Sequence, residues 1–201
     1  MVGRWLYEQG FVPSTDGNLS VRLSDNRILA TPAGTCKGRL DPGDAVVTDL
    51  EGHRLNGHGE PSTELGMHLL IYRLRRDVNA VCHAHPPIAT GFAAAGTSLE
   101  KPLVAEMVVN LGPVPLAPYA EPGSPELRNS LEPFVQQHDA ILMANHGVVT
   151  YGTDLLTAFR RMECVEHFAR ITLVTELLGK QSLLSGRDVE KLLAAHPRHR
   201  I

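Results

Sequence analysis

The chain has 201 residues, of which 43% are hydrophobic, enough to bury one substantial core within the size range of a single domain. Its 19 basic and 22 acidic side chains give a net charge of -3 and form no block of one sign, which argues against nucleic acid or a lipid surface as partner. The apolar runs are far shorter than the ~20 residues that cross a bilayer. The first residues lack the succession of basic, apolar and small residues that forms a signal peptide. Three cysteines, an odd number without a close pair, argue against a disulfide framework. We therefore expect one domain over residues 1–201, a cytoplasmic location, no membrane contact and no nucleic-acid partner.

The first third of the chain is predicted to contain one short helix followed by strands and loops. The predicted elements are a helix over 4–9 that ends at Gly10, strands over 19–23, 27–31 and 45–48, and a glycine-bearing loop over 32–38. Ser62 is a favourable N-cap, and apolar residues follow it at helical spacing, which predicts a helix from about 63 to 76. Glu64 is then expected in the first turn of that helix.

The rest of the chain alternates between strands and helices. A short apolar segment over 80–85 is stopped by two prolines and is predicted to be a strand. The other predicted elements are strands over 102–110, from about 114, over 140–144 and over 148–151, and helices from 124, from 153 to 178 and from 185 to 195. Several connections between strands are too short for a crossover helix, so we expect an α/β fold with a mixed, mostly antiparallel sheet.

Histidines and one glutamate carry the clearest chemical signal in the sequence. His83 and His85 are two residues apart on a predicted strand and therefore share a face, and His146 lies in a predicted tight turn. Three imidazoles and a nearby carboxylate, Glu64, are the components of a catalytic zinc site with a coordination position left for substrate. Zn²⁺ suits these ligands best, and Mn²⁺, Co²⁺ or Fe²⁺ also fits them.

A His-x-His pair alone has other interpretations. Two ordinary polar residues at a strand end would give the same pattern, but the prolines after His85 and the glycine after His146 favour a site. A cupin-type site also uses His-x-His. It requires a glutamate shortly downstream, whereas the next acidic residue after His85 is Glu100.

Six ordered motifs resemble the class II aldolase and adducin family over nearly the whole chain. They are Gly17-Asn18-Leu19-Ser20, Thr31-Pro32-Ala33-Gly34, Pro61-Ser62-Thr63-Glu64, His83-Ala84-His85, Ala117-Pro118-Tyr119 and Asn145-His146-Gly147. The resemblance is greatest to the enzymes of this family that cleave L-fuculose phosphate. It implies a single three-layer α/β/α domain, a homotetramer with active sites near subunit interfaces, and a sugar phosphate as the small-molecule substrate.

The resemblance also implies a role for each matching residue. His83, His85 and His146 would bind one Zn²⁺ per chain, and Glu64 would bind the metal or move away from it to act as the catalytic base. Substrate phosphate would be held by Asn18, Gly34, Ser62 and Thr63, with Thr15 as a weaker candidate. The implied reaction cleaves a ketose 1-phosphate to dihydroxyacetone phosphate and a short aldehyde through a zinc-stabilised enediolate.

The sequence departs from the fuculose-phosphate enzymes at the group that protonates the aldehyde oxygen. Those enzymes use a tyrosine where this chain has Glu106, and their second active-site tyrosine, near the carboxyl terminus, has no match after Tyr151. Ala33 stands where they have a threonine near the phosphate. We interpret Glu106 as a solvated strand residue in preference to a buried acid.

Three further side chains have a functional and a structural interpretation. His68, one turn after Glu64, would orient that carboxylate or simply pack in the helix, and we favour packing. Tyr119 would serve as an acid or as a buried anchor of a proline-rich loop, and we favour the anchor. Lys37 would contact a phosphate, form a Schiff base or lie in solvent, and we favour solvent exposure.

Other functions occur on the same scaffold. Epimerisation of a pentulose phosphate typically has aspartate at the position of Glu64, and dehydration of methylthioribulose phosphate usually has a longer insertion before the third histidine. Decarboxylation of an oxo-tetronate phosphate stays open. An adducin-like interaction domain that has lost its metal ligands is disfavoured because all three histidines are intact.

Overall fold

A computed structural model describes residues 1–24 and 26–196; the last five residues of the predicted domain, 197–201, lie outside the described part. These residues form an eight-stranded sheet with helices on both faces. The strands are β1 (Asn18–Ser24), β2 (Arg27–Ala30), β3 (Val46–Thr48), β4 (Arg54–Asn56), β5 (Ala80–Ala84), β6 (Leu116–Ala117), β7 (Ala140–Met143) and β8 (Gly147–Gly152). The helices are α1 (Val2–Glu8), α2 (Leu65–Leu74), α3 (Pro87–Ala94), α4 (Ala105–Asn110), α5 (Pro125–Val135), α6 (Leu155–Leu177) and α7 (Gly186–Ala195).

The sheet order is β4-β3-β2-β1-β5-β8-β7-β6, and only the β6–β7 pair is parallel among the described strands. Helices α1, α3 and α6 contribute to the core on one face, and α2 and α5 to the core on the other. The predicted three-layer α/β/α fold with a mixed, mostly antiparallel sheet is therefore confirmed. Within the described ranges, no helix is both long and apolar enough to cross a membrane.

The central strands β1, β5 and β8 position the site. Strand β5 is buried along its whole length between β1 and β8, and Asn18 of β1 lies opposite His83 of β5. On the other side His83 lies opposite Val149 of β8, just after the turn that carries His146. The sheet register thus brings Asn18, His83 and the β7–β8 turn together at one end of the central strands.

The strand prediction over 102–110 is wrong. Val104 is extended, but α4 follows it and buries Met107 and Val108. The β-branched residues of this segment favour a strand, yet the segment packs on α6 and α7 as a helix. Tertiary packing therefore overrides the local preference.

Helix α2 is shorter than predicted. Ser62 and Leu65 are joined by a backbone hydrogen bond of 2.9 Å in a tight turn, so the helix begins only at Leu65, and Glu64 is its N-cap residue rather than part of its first turn. At the other end Arg75 has an extended backbone, and its guanidinium pairs with Asp77 and Asp139. The predicted strand from about 114 is represented by β6 and by an isolated bridge between Leu99 and Val114.

Candidate metal and sugar-phosphate site

Three histidine rings from two segments converge at one end of the central strands. The ring centroids of His83 lie 4.9 Å from His85 and 4.8 Å from His146, and those of His85 and His146 are 5.3 Å apart. One ligand nitrogen from each ring lies within 4.8 Å of the others, an arrangement that is able to hold a metal ion. The rings predicted as metal ligands are thus brought together.

Contacts of Nδ1 determine which nitrogen of His83 and of His85 faces the centre. The Nδ1 of His83 lies 2.9 Å from the carbonyl oxygen of Val148, and the Nδ1 of His85 lies 3.2 Å from Asp16 Oδ2. Both contacts leave Nε2 facing inward, and the two Nε2 atoms are 3.1 Å apart. Tetrahedral zinc with nitrogen ligands at its usual distance needs a separation of about 3.3 Å, so these donors fit the ion.

Glycines allow the chain to pass this close to the rings. A Cβ on Gly147 would lie 2.5 Å from His85 Cδ2 and 2.7 Å from the carbonyl oxygen of Ala84. Gly17 has a positive φ of +69°, and a Cβ there would lie 2.7 Å from the carbonyl oxygen of His83. Side chains at either position would therefore push the histidines apart.

Glu64 lies against two of the three rings. Its Oε2 is 3.3 Å from His83 Nε2, and its Oε1 is 3.0 Å from His146 Nε2. Burial acts to raise the pKa of this carboxyl, but His83 and His146 outweigh that effect and hold the pKa well below its usual range. The group is consequently a carboxylate that shares its centre with the imidazoles.

The charge state of His85 also suits metal binding. Burial, His83 and His146 lower the pKa of His85 to about 4, so this ring is neutral near pH 7, the form in which an imidazole binds a metal. Burial acts to lower the pKa of His83 as well, but the adjacent Glu64 carboxylate outweighs it and the pKa is raised.

Asn18 and Ser62 join this cluster, whereas the two other predicted phosphate contacts lie on the protein surface. Asn18 Nδ2 donates to Glu64 Oε2 at 2.9 Å and to Ser62 Oγ at 3.2 Å. Gly34 and Thr63 are exposed. Their segments run side by side, because Pro32 and Pro61 form an antiparallel bridge and the amide of Ala33 donates to the carbonyl of Glu60.

Two loop residues matter that the sequence interpretation missed or misjudged. The sequence interpretation assigned no role to Asp16, yet its carboxylate lies 3.2 Å from His85 Nδ1 and orients that ring. Lys37, expected in solvent, has only 2% of its surface exposed, and its Nζ donates to the carbonyls of Thr15 at 2.8 Å and Thr35 at 2.6 Å. Burial lowers its pKa, although Cys36, Asp16 and Glu64 act to raise it. The role of Asp16 can be detected only once its loop lies against His85. The role of Lys37 can be detected only once loops 13–17 and 32–36 lie side by side.

The two candidate acids weighed in the sequence lie outside this cluster. Tyr119, expected to be buried, is 63% exposed in the loop between β6 and α5. Glu106 is exposed in the first turn of α4 and not on a strand. The expected burial of Tyr119 is therefore wrong, because the loop leaves its phenol in solvent.

Comparison with known proteins now adds to this geometry. Residues 1–173 match the family described as class II aldolase and adducin N-terminal domain. The chain belongs to the class II aldolase and adducin family. Family membership supports an enzyme of aldolase or lyase type, and class II aldolases depend on a metal.

Individual relatives of this family differ in their reactions. A 3-oxo-tetronate 4-phosphate decarboxylase from Haemophilus influenzae is 37% identical over 85% of this chain and 82% of that protein. A 5-deoxy-D-ribulose 1-phosphate aldolase from Bacillus thuringiensis is 33% identical over 94% of this chain and 89% of that protein. The solved structure of an L-fuculose 1-phosphate aldolase superposes with a TM-score of 0.89 at 32% identity, covering 96% of this chain and 91% of that one. Sugar phosphates are thus the substrates that these names share.

Proposed function

We propose that this protein is a zinc-dependent lyase that cleaves a ketose 1-phosphate to dihydroxyacetone phosphate and a short aldehyde. The observation that carries the proposal is the contact of the Glu64 carboxylate with both His83 and His146, at 3.3 Å and 3.0 Å, beside the inward-facing Nε2 of His85. A base that must work next to a metal needs this proximity. The spacing of the ring nitrogens and the neutral state of His85 support the metal.

His83, His85 and His146 would hold the cation, with Zn²⁺ preferred and Mn²⁺, Co²⁺ or Fe²⁺ also compatible with three imidazoles. When bound, such a cation supplies a Lewis acid that polarises a ketone and stabilises the enediolate derived from it. Asp16 would keep His85 in the tautomer that binds, because its carboxylate accepts the Nδ1 proton.

Glu64 is proposed to move the proton at carbon. In the cleavage direction the carbon–carbon bond breaks, its electron pair stays with the dihydroxyacetone phosphate fragment, and the adjacent hydroxyl loses its proton as it becomes the aldehyde carbonyl. A proton is delivered to the dihydroxyacetone phosphate carbon through the Glu64 carboxylate, so the net proton transfer is from that hydroxyl to carbon. In the opposite direction the carboxylate removes the same proton. Asn18 fixes the approach of the carboxylate, since its Nδ2 donates to Oε2.

The phosphate is proposed to bind at the rim formed by Asn18, Gly34, Ser62 and Thr63. Hydroxyl, amide and backbone N–H groups bind phosphate without a guanidinium. The exposed positions of Gly34 and Thr63 on adjoining segments support access from solvent. Buried Lys37 adds a positive charge behind the loops that carry this rim.

Decarboxylation of an oxo-tetronate phosphate is the second candidate, and a specific observation favours it. Aldol cleavage leaves an aldehyde oxygen whose proton must be handled by an acid–base group, whereas departing carbon dioxide takes no proton. Glu106 is exposed on α4 where the fuculose-phosphate enzymes have a tyrosine. Tyr72 and Tyr151 are buried in the core beside α2 and α5. The absence of a tyrosine among the described residues that contact the histidine cluster, together with the 37% identical decarboxylase, supports decarboxylation.

The experiment that separates the candidates uses zinc-loaded protein and three substrates. L-fuculose 1-phosphate, 5-deoxy-D-ribulose 1-phosphate and 3-oxo-tetronate 4-phosphate are incubated with enzyme, and dihydroxyacetone phosphate and carbon dioxide are measured. Aldol cleavage releases dihydroxyacetone phosphate and an aldehyde without carbon dioxide, whereas decarboxylation releases dihydroxyacetone phosphate and carbon dioxide. Absence of dihydroxyacetone phosphate with every substrate would contradict both candidates.

We also propose that the protein is cytoplasmic and assembles as a homotetramer with active sites near subunit interfaces. The position of the histidine cluster at one end of the central strands, with Gly34 and Thr63 open to solvent, is compatible with a neighbouring subunit. Light scattering during size-exclusion chromatography tests the assembly. A monomer at micromolar concentration would contradict it.

A further inference from the structure

Below the candidate site, β1 and α2 are joined by two parallel polar contacts. Asn18 and Ser20 are two residues apart in β1 and therefore share a face of the strand. Glu64 and His68 are about one helical turn apart at the start of α2. Asn18 Nδ2 donates to Glu64 Oε2 at 2.9 Å, and Ser20 Oγ lies 2.7 Å from His68 Nδ1. His68 therefore stands directly behind the proposed base.

Each of the two contacts leaves one buried polar atom without a partner in the described part of the chain. A carboxylate only accepts hydrogen bonds, so the amide nitrogen of Asn18 must face Glu64 and its Oδ1 must face away. Asn18 Oδ1 and His68 Nε2 are both buried and unpartnered among the described residues. One is an acceptor, and a donor on the other would satisfy both.

The proton order of the neighbouring hydroxyls makes His68 Nε2 a donor. Ser20 Oγ, at 2.8 Å, is the acceptor that the described residues offer to the Tyr72 hydroxyl, so we assign the phenol as the donor in this contact. The hydroxyl of Ser20 is then left to donate to His68 Nδ1. Burial lowers the pKa of His68 to about 3, so the ring is neutral and carries its single proton on Nε2.

We propose that His68 is a positioning residue for Glu64, whose Nε2–H is linked through one buried water to Asn18 Oδ1 and so keeps the amide nitrogen on the Glu64 carboxylate. A buried donor and a buried acceptor that both lack a protein partner are the groups that an internal water typically satisfies. This role rests on the proposed function, since orienting Glu64 matters only if that carboxylate moves a proton. It assigns a purpose to the Tyr72–Ser20–His68 chain beyond packing.

The test measures proton exchange between dihydroxyacetone phosphate and deuterated water on zinc-loaded protein. His68→Phe keeps the ring volume but removes both nitrogens, and we expect exchange at saturation to slow by about 10- to 100-fold, with KM within about twofold and zinc content unchanged. His68→Gln retains a donor near the position of Nε2 and is expected to recover most of the rate. Thr172→Val is the control, because it removes another buried hydroxyl hydrogen bond, at 2.9 Å to Phe168, far from the site.

A second readout does not depend on activity. Nitrogen-15 NMR of the wild-type protein is expected to show His68 as the Nε2–H tautomer, and Ser20→Ala is expected to shift that signal. Exchange in His68→Phe as fast as in Thr172→Val, or a proton on His68 Nδ1 in the wild type, would overturn the inference. Absence of exchange in the wild type would instead contradict the proposed function and leave the tautomer to decide the inference.

Discussion

The carboxylate of Glu64 is the group on which the chemistry depends. Glu64→Gln keeps the shape and the contact with Asn18 but removes the charge that accepts a proton. We expect proton exchange at the ketose carbon to fall by about 10²- to 10⁴-fold, with the protein still folded and metal-bound. Exchange is followed by proton NMR in deuterated water. Full exchange in this variant would remove Glu64 from the mechanism.

Asp16 carries a second prediction at the scale of single residues. Its contact of 3.2 Å with His85 Nδ1 holds the ring with Nε2 inward, and loss of such a carboxylate typically weakens metal affinity. Asp16→Asn is expected to bind Zn²⁺ about 10- to 100-fold more weakly in a competition titration with a chelating dye. Glu8→Gln, an exposed change on α1, is the control. Equal affinity in the two variants would refute a role for Asp16.

The sequence predicted the residues of the cluster but not their supports. Two histidines on one strand face and a third in a tight turn carry a chemical signal that spacing reveals. Asp16 and Lys37 carry none, because their partners lie 69 residues away and in a separate loop, respectively. Contacts of that kind exist only after the sheet has formed.

At the scale of elements, α3 is held next to His85 by a side chain from α6. The carboxylate of Glu166, 2% exposed, accepts hydrogen bonds from the amides of Ile88 and Ala89 at the start of α3. Glu166→Ala leaves these buried amides without an acceptor, and we expect the free energy of unfolding to fall by about 1–3 kcal/mol. Urea denaturation measures the change, and Glu163→Ala on the same helix is the control. A change no larger than in the control would contradict this contact's importance.

The start of α6 gives a prediction that depends on pH. Asp154 accepts from the amide of Thr157 at 2.8 Å, and hydrogen bonds from the Thr157 side chain and backbone lower its pKa below the ordinary value of 3.8. Because the folded-state pKa is depressed, the cap stabilises the protein above about pH 3.8, and this stabilisation is lost as the pH falls through the folded-state value. Asp154→Ala should lower the free energy of unfolding by about 1 kcal/mol at pH 7.

Urea denaturation of wild type and Asp154→Ala at pH 7 and pH 3 checks this sign. The difference between the two proteins is expected to shrink at the lower pH. Glu176→Ala, exposed near the other end of α6, is the control. A difference that grew at pH 3 would contradict the assigned role.

Elements were predictable where local signals agreed and failed where tertiary contacts decided. The serine and proline at the start of α5 and the aspartate at the start of α6 located both helices, because capping is a local interaction. Helix α4 was mistaken for a strand because its valines locally favour a strand. Strand β4 was missed because it lies at the sheet edge with all three residues exposed. Its single apolar residue stands between two polar ones, so the sequence shows no alternation of buried and exposed positions.

For the whole molecule, short connections correctly predicted a mixed, mostly antiparallel sheet, but not the order of its strands. The adjacency of β1 and β5, which sets Asn18 opposite His83, joins segments more than 60 residues apart and has no local signature. The assembly into a tetramer and the location in the cell stay predictions. The convergence of three imidazoles on one centre is the property of the whole fold from which every functional proposal follows.

Metal content after reconstitution tests that convergence most directly. Wild-type protein and His138→Ala, which changes a histidine outside the cluster, are loaded with Zn²⁺, desalted and analysed by mass spectrometry together with His146→Ala. We predict about one Zn²⁺ per chain in the first two proteins and almost none in His146→Ala. A wild-type protein that retains no metal with all three histidines intact would contradict the account.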